Sequence, residues 1–195
     1  MRNILSRAAV VATVAAVGIL GFGGQAQAAV VVGTNHADVI TAPQTGPDAD
    51  SVTAKAGSDH VETYAGNDWV SDGFGNDVVK LGAGNDANTE KGEGSDRVSG
   101  GNGSDTVRGG FGPDQLSSGG AADAVYPGAG RDMVSAGEAN DLVSVGNDGN
   151  RDDINCGDGD DTVAYSSSVV DLNDVLVDCE HVTVTPMTAR GSNWD

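Results

Sequence analysis

An aspartate recurs at intervals of nine residues through most of this 195-residue chain. Residues 65–91, AGNDWVSDGFGNDVVKLGAGNDANTEK, show Gly-Asn-Asp three times at that interval, and the spacing then changes after Asp86. Glycine recurs two and four positions before the aspartate, and an aliphatic residue two positions after it. Three residue classes held in register over so long a stretch exclude a disordered Gly/Asp-rich linker and predict a repeat architecture.

The aligned aspartates define fourteen units. Most steps between them are nine residues, but the steps are twelve after Asp38, ten after Asp86 and eleven after Asp141. Thirteen of the fourteen residues two positions after the aspartate are Val, Ile or Leu, and the exception is Asn88. The aspartates are Asp38, Asp50, Asp59, Asp68, Asp77, Asp86, Asp96, Asp105, Asp114, Asp123, Asp132, Asp141, Asp152 and Asp161.

Each unit is long enough for one brief strand and one turn. The aliphatic side chain points inward and its neighbours outward, and the glycines allow the sharp turn that follows. The carboxylate is then expected at the outer corner of the turn. Two units complete one coil, so the pattern predicts an all-β chain, a right-handed parallel β-solenoid of about fourteen nine-residue units.

Stacking the coils places every second aspartate above its counterpart, about 4.8 Å away. The pattern therefore predicts two columns of carboxylates along the solenoid. One column holds Asp50, Asp68, Asp86, Asp105, Asp123, Asp141 and Asp161. The other holds Asp59, Asp77, Asp96, Asp114, Asp132 and Asp152.

Carboxylates stacked at this spacing repel one another by roughly 1 to 4 kcal/mol per pair, depending on the effective dielectric. A cation between them would remove that cost. Calcium accepts six to eight oxygen ligands in flexible geometry, and glycine-rich turns expose backbone carbonyls as well as carboxylates. Magnesium demands a stricter octahedron, and zinc or copper prefer histidine or thiolate ligands that the turns lack. The residues thus favour several calcium ions.

The units resemble a known family of repeats. GEGSDRVSG at 92–100 and GNGSDTVRG at 101–109 resemble the RTX, or haemolysin-type, calcium-binding nonapeptide. The resemblance covers about residues 38–163. It implies a parallel β-roll with calcium held in the turns between coils, and a chain that folds when it meets calcium outside the cell. No catalytic or toxin domain accompanies the repeats, so we expect no enzymatic activity.

The expected calcium ligands are the aspartates together with carbonyls of the glycine turns. Ala121 and Ala139 stand where glycine is expected, eighteen residues apart, so binding in their column should be weaker. The stronger ligands are Asp50, Asp59, Asp68, Asp77, Asp86, Asp96, Asp105, Asp114, Asp132 and Asp161, and the weaker ones are Asp38, Asp123, Asp141 and Asp152. The carbonyls lie near Gly73, Gly75, Gly82, Gly84, Gly92, Gly94, Gly101, Gly103, Gly110, Gly112, Gly128 and Gly130.

The first 28 residues are typical of a secretory signal peptide. Arg2 and Arg7 precede an apolar run, and small residues ending in Ala28 mark the cleavage site. Cleavage would leave 29 acidic and 8 basic residues. This charge argues against nucleic acid, anionic membrane surfaces and phosphorylated ligands as partners, and favours cations. We therefore expect a secreted protein that does not insert into membranes.

Two cysteines, Cys156 and Cys179, are present, and in an exported protein such a pair usually forms a disulfide. It would tie a C-terminal cap, residues 164–185, to a roll that spans residues 29–163 with its N-terminal cap. Residues 186–195 are expected to form a flexible tail.

Two further expectations remain open. Asn88 and the extra residue before Gly92 predict a local bulge, after which the coil resumes in register by Asp96; the alternative is a break between two rolls. The flat face of the solenoid could alternatively serve an extracellular adhesin or an ice-binding module, although its outward residues are irregular.

Overall fold

The structure, a computed structural model, describes residues 28, 30–41, 48–89, 92–167 and 169–184. The predicted signal peptide up to residue 27 and the predicted tail at 186–195 lie outside these ranges. All the regular secondary structure in these ranges consists of β-strands. The strands are β1 Val30–Val32, β2 Val39–Thr41, β3 Ser51–Thr53, β4 His60–Glu62, β5 Trp69–Ser71, β6 Val78–Ala83, β7 Ala87–Asn88, β8 Arg97–Asn102, β9 Thr106–Phe111, β10 Gln115–Gly120, β11 Ala124–Ala129, β12 Met133–Glu138, β13 Leu142–Val145, β14 Asp153–Asp158, β15 Thr162–Tyr165, β16 Val175–Val177 and β17 His181–Val184.

The strands alternate between two parallel sheets. Sheet A contains the nine odd-numbered strands and sheet B the eight even-numbered strands, each in chain order. Every strand therefore pairs with the strand two places along the chain, and two strands complete one coil. The predicted all-β parallel solenoid is confirmed, with about eight coils. Within the described ranges no helix has the length and apolar character needed to span a membrane.

The predicted aliphatic residues fill the space between the two sheets. Val98, Leu116 and Val134 stand in register on adjacent strands of sheet B, and each is at most 5% exposed. Val107 and Val125 likewise stand in register on adjacent strands of sheet A and are buried. Because side chains alternate between the two faces of a strand, these aliphatic residues form an inward-facing row in each sheet.

Each complete strand buries two side chains, whereas the sequence predicted only one. In β6 both Val79 and Leu81 are buried, and in β12 both Val134 and Ala136 are. The second inward position lies four residues after the aspartate. Its occupants vary from Leu81 to Gly100, so no residue class recurs there to reveal it from the sequence. The strands consequently extend to six residues and include the first glycine of the following turn.

The C-terminal segment adds another coil to the roll. Strand β16 pairs with β14, which places Leu176 beside Ile154, and β17 pairs with β15, which places Val182 beside Val163. The predicted Cys156–Cys179 disulfide is present, with a Cα–Cα distance of 5.2 Å. It links the buried interior of β14 to the turn that precedes β17.

Asn88 points into the core between the sheets and is fully buried. Its Nδ2 donates to the carbonyl of Arg108 at 2.8 Å and to Oδ2 of Asp72 at 3.3 Å, while its Oδ1 accepts the main-chain N–H of Arg108 at 2.7 Å. The Asn88 side chain thus occupies the main-chain N–H and carbonyl of Arg108 in β9, which would otherwise be free to pair with the main chain of β7. Strand β7 accordingly ends after two residues. The coil then resumes in register, with Val79 beside Val98, so the sheets continue without a break.

Candidate metal sites

The aspartates form two hydrogen-bonded ladders that run along the roll. The main-chain N–H of each aspartate donates to Oδ1 of the aspartate one coil further on, over 2.7 to 2.9 Å. The first ladder joins Asp50, Asp68, Asp86, Asp105, Asp123, Asp141 and Asp161 in order. The second joins Asp38, Asp59, Asp77, Asp96, Asp114, Asp132 and Asp152.

Both ladders continue one step beyond the predicted series. The N–H of Asp152 donates to Oδ1 of Asp174 at 2.9 Å, and that of Asp161 donates to Oε2 of Glu180 at 3.0 Å. Sequence reasoning missed both residues because their spacing is irregular and no glycine pair precedes them. A signal was present, since Leu176 and Val182 follow two residues after these acids, where thirteen of the fourteen predicted units also have an aliphatic residue.

The carboxylates lie inside the turns, not at their outer corners as the sequence predicted. All fourteen predicted aspartates are buried, with at most 6% of each residue exposed. Orientation toward the neighbouring coil explains this, because a side chain that accepts a main-chain N–H from the adjacent coil must lie between the two coils.

In six of the ladder aspartates the second carboxylate oxygen is unsatisfied. Oδ2 is buried and makes no hydrogen bond in Asp59, Asp86, Asp105, Asp132, Asp141 and Asp161. A buried charged oxygen without a partner is costly. A cation that approached this oxygen would remove the cost, so the geometry fits an ion and not a purely hydrogen-bonded turn.

Burial raises the pKa of several ladder carboxyls far above their ordinary value. Removal from water raises the pKa of Asp86, Asp132 and Asp141 to about 6 and that of Asp105 and Asp152 to about 7. Negative neighbours contribute in the same direction, as Asp86 and Asp123 do for Asp105. The ladder thus holds its negative charge at a high energetic cost when no cation is present.

The glycine turns direct rows of carbonyl oxygens along the roll axis. A Cβ atom at Gly84 would lie 1.5 Å from the carbonyl oxygen of Gly66, and one at Gly103 would lie 1.8 Å from that of Gly84. Only glycine permits so close an approach of successive turns. The turns therefore combine carbonyl oxygens with buried carboxylates, the oxygen ligands that calcium prefers.

Ala121 and Ala139 adopt the left-handed conformation that the glycine turn requires, with φ of 76° at both. Glycines at the equivalent position, such as Gly84 and Gly130, have φ of 147° and 144°. The backbone conformation at the two alanines thus differs from that at these glycines. The strain expected at these two positions is present, because L residues rarely adopt positive φ.

Side chains alone do not complete a metal site. Among the described residues, no group of three His, Cys, Asp or Glu side chains converges in a way that could hold an ion. An ion bound at the ladders would therefore need oxygen ligands besides side chains, and main-chain carbonyls and water are both ligands that calcium accepts.

Comparison with known families agrees with this geometry. Four overlapping stretches, residues 45–71, 53–87, 92–125 and 99–134, match the RTX calcium-binding nonapeptide repeat. The units in these stretches are RTX repeats. The matches lie on either side of residues 88–91, the point where Asn88 replaces an aliphatic residue in the RTX pattern. A comparison with curated proteins finds no match to the chain.

Proposed function

We propose that this chain is a secreted calcium-binding β-roll whose fold is stabilised by several calcium ions bound in its Gly/Asp turns. The proposal rests on the buried Oδ2 atoms that make no hydrogen bond, those of Asp59, Asp86, Asp105, Asp132, Asp141 and Asp161. They are negatively charged oxygens held apart from water beside rows of carbonyls, and the RTX match supports calcium as the ion.

Calcium would act on stability because it binds the folded chain and has no preformed site in the unfolded chain. Each site adds about 2.7 kcal/mol when calcium exceeds its dissociation constant a hundredfold. The ladder aspartates would supply carboxylate oxygens, and glycines such as Gly84 and Gly103 would supply carbonyls. This role makes the turns structural, and we infer no catalytic function for them.

Secretion fits the other features of the chain. The disulfide between Cys156 and Cys179 is typical of oxidising compartments, and calcium is abundant outside cells. Cleavage after Ala28 would leave β1, which begins at Val30, close to the new N-terminus. Intact mass of the protein recovered from culture medium tests this, and a mass that retains the first 28 residues would refute the cleavage site.

Calcium titration of the mature chain tests the central proposal. At pH 8, circular dichroism in chelator should show little β-structure, and addition of millimolar calcium should produce it, while calorimetry counts the sites. Magnesium at the same concentration is the matched control and should have a much smaller effect. A β-sheet spectrum that is unchanged by chelator, together with no calcium binding, would disprove the proposal.

A further inference from the structure

The outer face of sheet B carries a trough that the calcium ladders do not use. It has a volume of about 540 Å³ and crosses β8, β10, β12, β14 and β16, which corresponds to about 19 Å at the usual strand spacing. The volume lies within the range of small-molecule sites, roughly 300 to 1,000 Å³.

Small side chains line the floor of this trough, whose surface is largely apolar. Ser99, Ser117 and Ser135 stand in register on neighbouring strands. Leu116 and Val134 border the trough between these serines, but their side chains are buried on the opposite face of the sheet. Met133, which is 57% exposed, borders the floor, and exposed valines of β16 close one end.

Arginines gather at one side of the trough, where the strands begin. Arg97 is the first residue of β8, and its guanidinium donates to the neutral amide oxygen of Gln115 at 2.7 Å. Arg131 and Arg151 precede β12 and β14, and both pair with the single carboxylate of Asp153. Three cationic groups therefore face one anionic group here, in a chain with a net charge of −19.

The far ends of the strands, beyond the residues that line the trough, carry the reverse charge. Glu138 and Asp158 are the last residues of β12 and β14 and stand beside each other in register. The trough itself therefore has Arg97 at its β8 end, and its exposed apolar side chains, Met133 and the valines of β16, lie toward the other end. This charge order favours an anionic head group at the beginning of the strands.

We propose that this trough binds a free single-chain amphiphile with an anionic head group, of the fatty-acid class. The alkyl chain lies across the strands, over Met133 toward the exposed valines of β16, and the head group contacts Arg97 at the β8 end. Net charge alone argues against anionic ligands, but the charges of this chain are segregated, with the acidic ladders buried in the turns and the arginines on this face.

Calorimetric titration of the calcium-loaded full chain with 1-octanesulfonate tests the site, because this probe does not depend on calcium chelation. We expect one molecule to bind, and octyltrimethylammonium, with the same chain and the opposite charge, to bind much more weakly. Arg97→Gln should weaken octanesulfonate binding about fivefold. Lys55→Gln, the same loss of charge in an exposed turn, should leave it unchanged.

A second pair of variants tests the floor. Ser117→Phe fills the trough and should abolish binding, whereas Ser144→Phe, at the equivalent position of β13 in sheet A, should not. Circular dichroism verifies that both variants keep the roll. Equal binding of the cationic probe, binding that survives Ser117→Phe, or attachment to phosphatidylglycerol vesicles without binding of octanesulfonate would each overturn the proposal.

Discussion

At the scale of single residues, the ladder aspartates have opposite effects in the absence and presence of calcium. Asp105 has a buried Oδ2 without a hydrogen bond and a pKa that burial raises to about 7. Asp105→Asn removes this buried charge, so we expect a more stable chelated protein and a weaker calcium response. Thermal unfolding with and without calcium measures both effects. Asp158→Asn, an exposed acid outside the ladders, is the matched control, and a loss of stability of Asp105→Asn in chelator would contradict the prediction.

Ala121 and Ala139 allow a second test at this scale. Their φ of 76° costs each alanine about 1 kcal/mol relative to glycine. The double variant Ala121→Gly/Ala139→Gly should therefore raise the free energy of unfolding by about 2 kcal/mol in denaturant titrations with calcium. Ala164→Gly, in the regular strand β15, should instead lower it by about 0.5 to 1 kcal/mol. Equal losses for both variants would show that the left-handed turns store no strain.

At the scale of strands and coils, the last coil depends on its disulfide. Strands β16 and β17 have only three and four residues, and Val182 and Val184 are 47% and 41% exposed. Closing the loop between Cys156 and Cys179 should contribute about 3 kcal/mol. Cys179→Ser should thus allow rapid hydrogen exchange in β16 and β17 while β10 and β12 stay protected, and reduction of the native protein should reproduce this. Uniform loss of protection along the roll would contradict a local role.

The sequence predicted the elements that recur and missed those that vary. Asp105 and Val107 could be placed because both residue classes return in nearly every unit, and their period fixes the stacking of coils. The second inward position could not be predicted, since Leu81, Gly100 and Ser118 share no side-chain class. The burial of the carboxylates was also missed, because their orientation depends on a hydrogen bond to a neighbouring coil that spacing alone does not specify.

At the scale of the whole molecule, the ladders make stability depend on pH in opposite directions with and without calcium. Burial raises the pKa of Asp86, Asp132 and Asp141 to about 6 and of Asp105 and Asp152 to about 7, whereas an unfolded aspartate titrates near 3.9. The folded chain therefore binds more protons than the unfolded chain between these values. The stability that protonation supplies is complete below the unfolded pKa and is lost as pH rises through 6 to 7.

Protons and calcium should thus act as alternative stabilisers of the same roll. In chelator, the β-sheet signal in circular dichroism should be present near pH 4.5 and decline by pH 8. With saturating calcium it should persist at pH 8 and depend on calcium less at pH 4.5, because only ionised carboxylates bind the ion. Asp105→Asn should weaken the pH dependence in chelator, whereas Asp158→Asn should retain it. A chelated protein that is equally stable at both pH values would show that the buried ladder is not what destabilises the calcium-free chain.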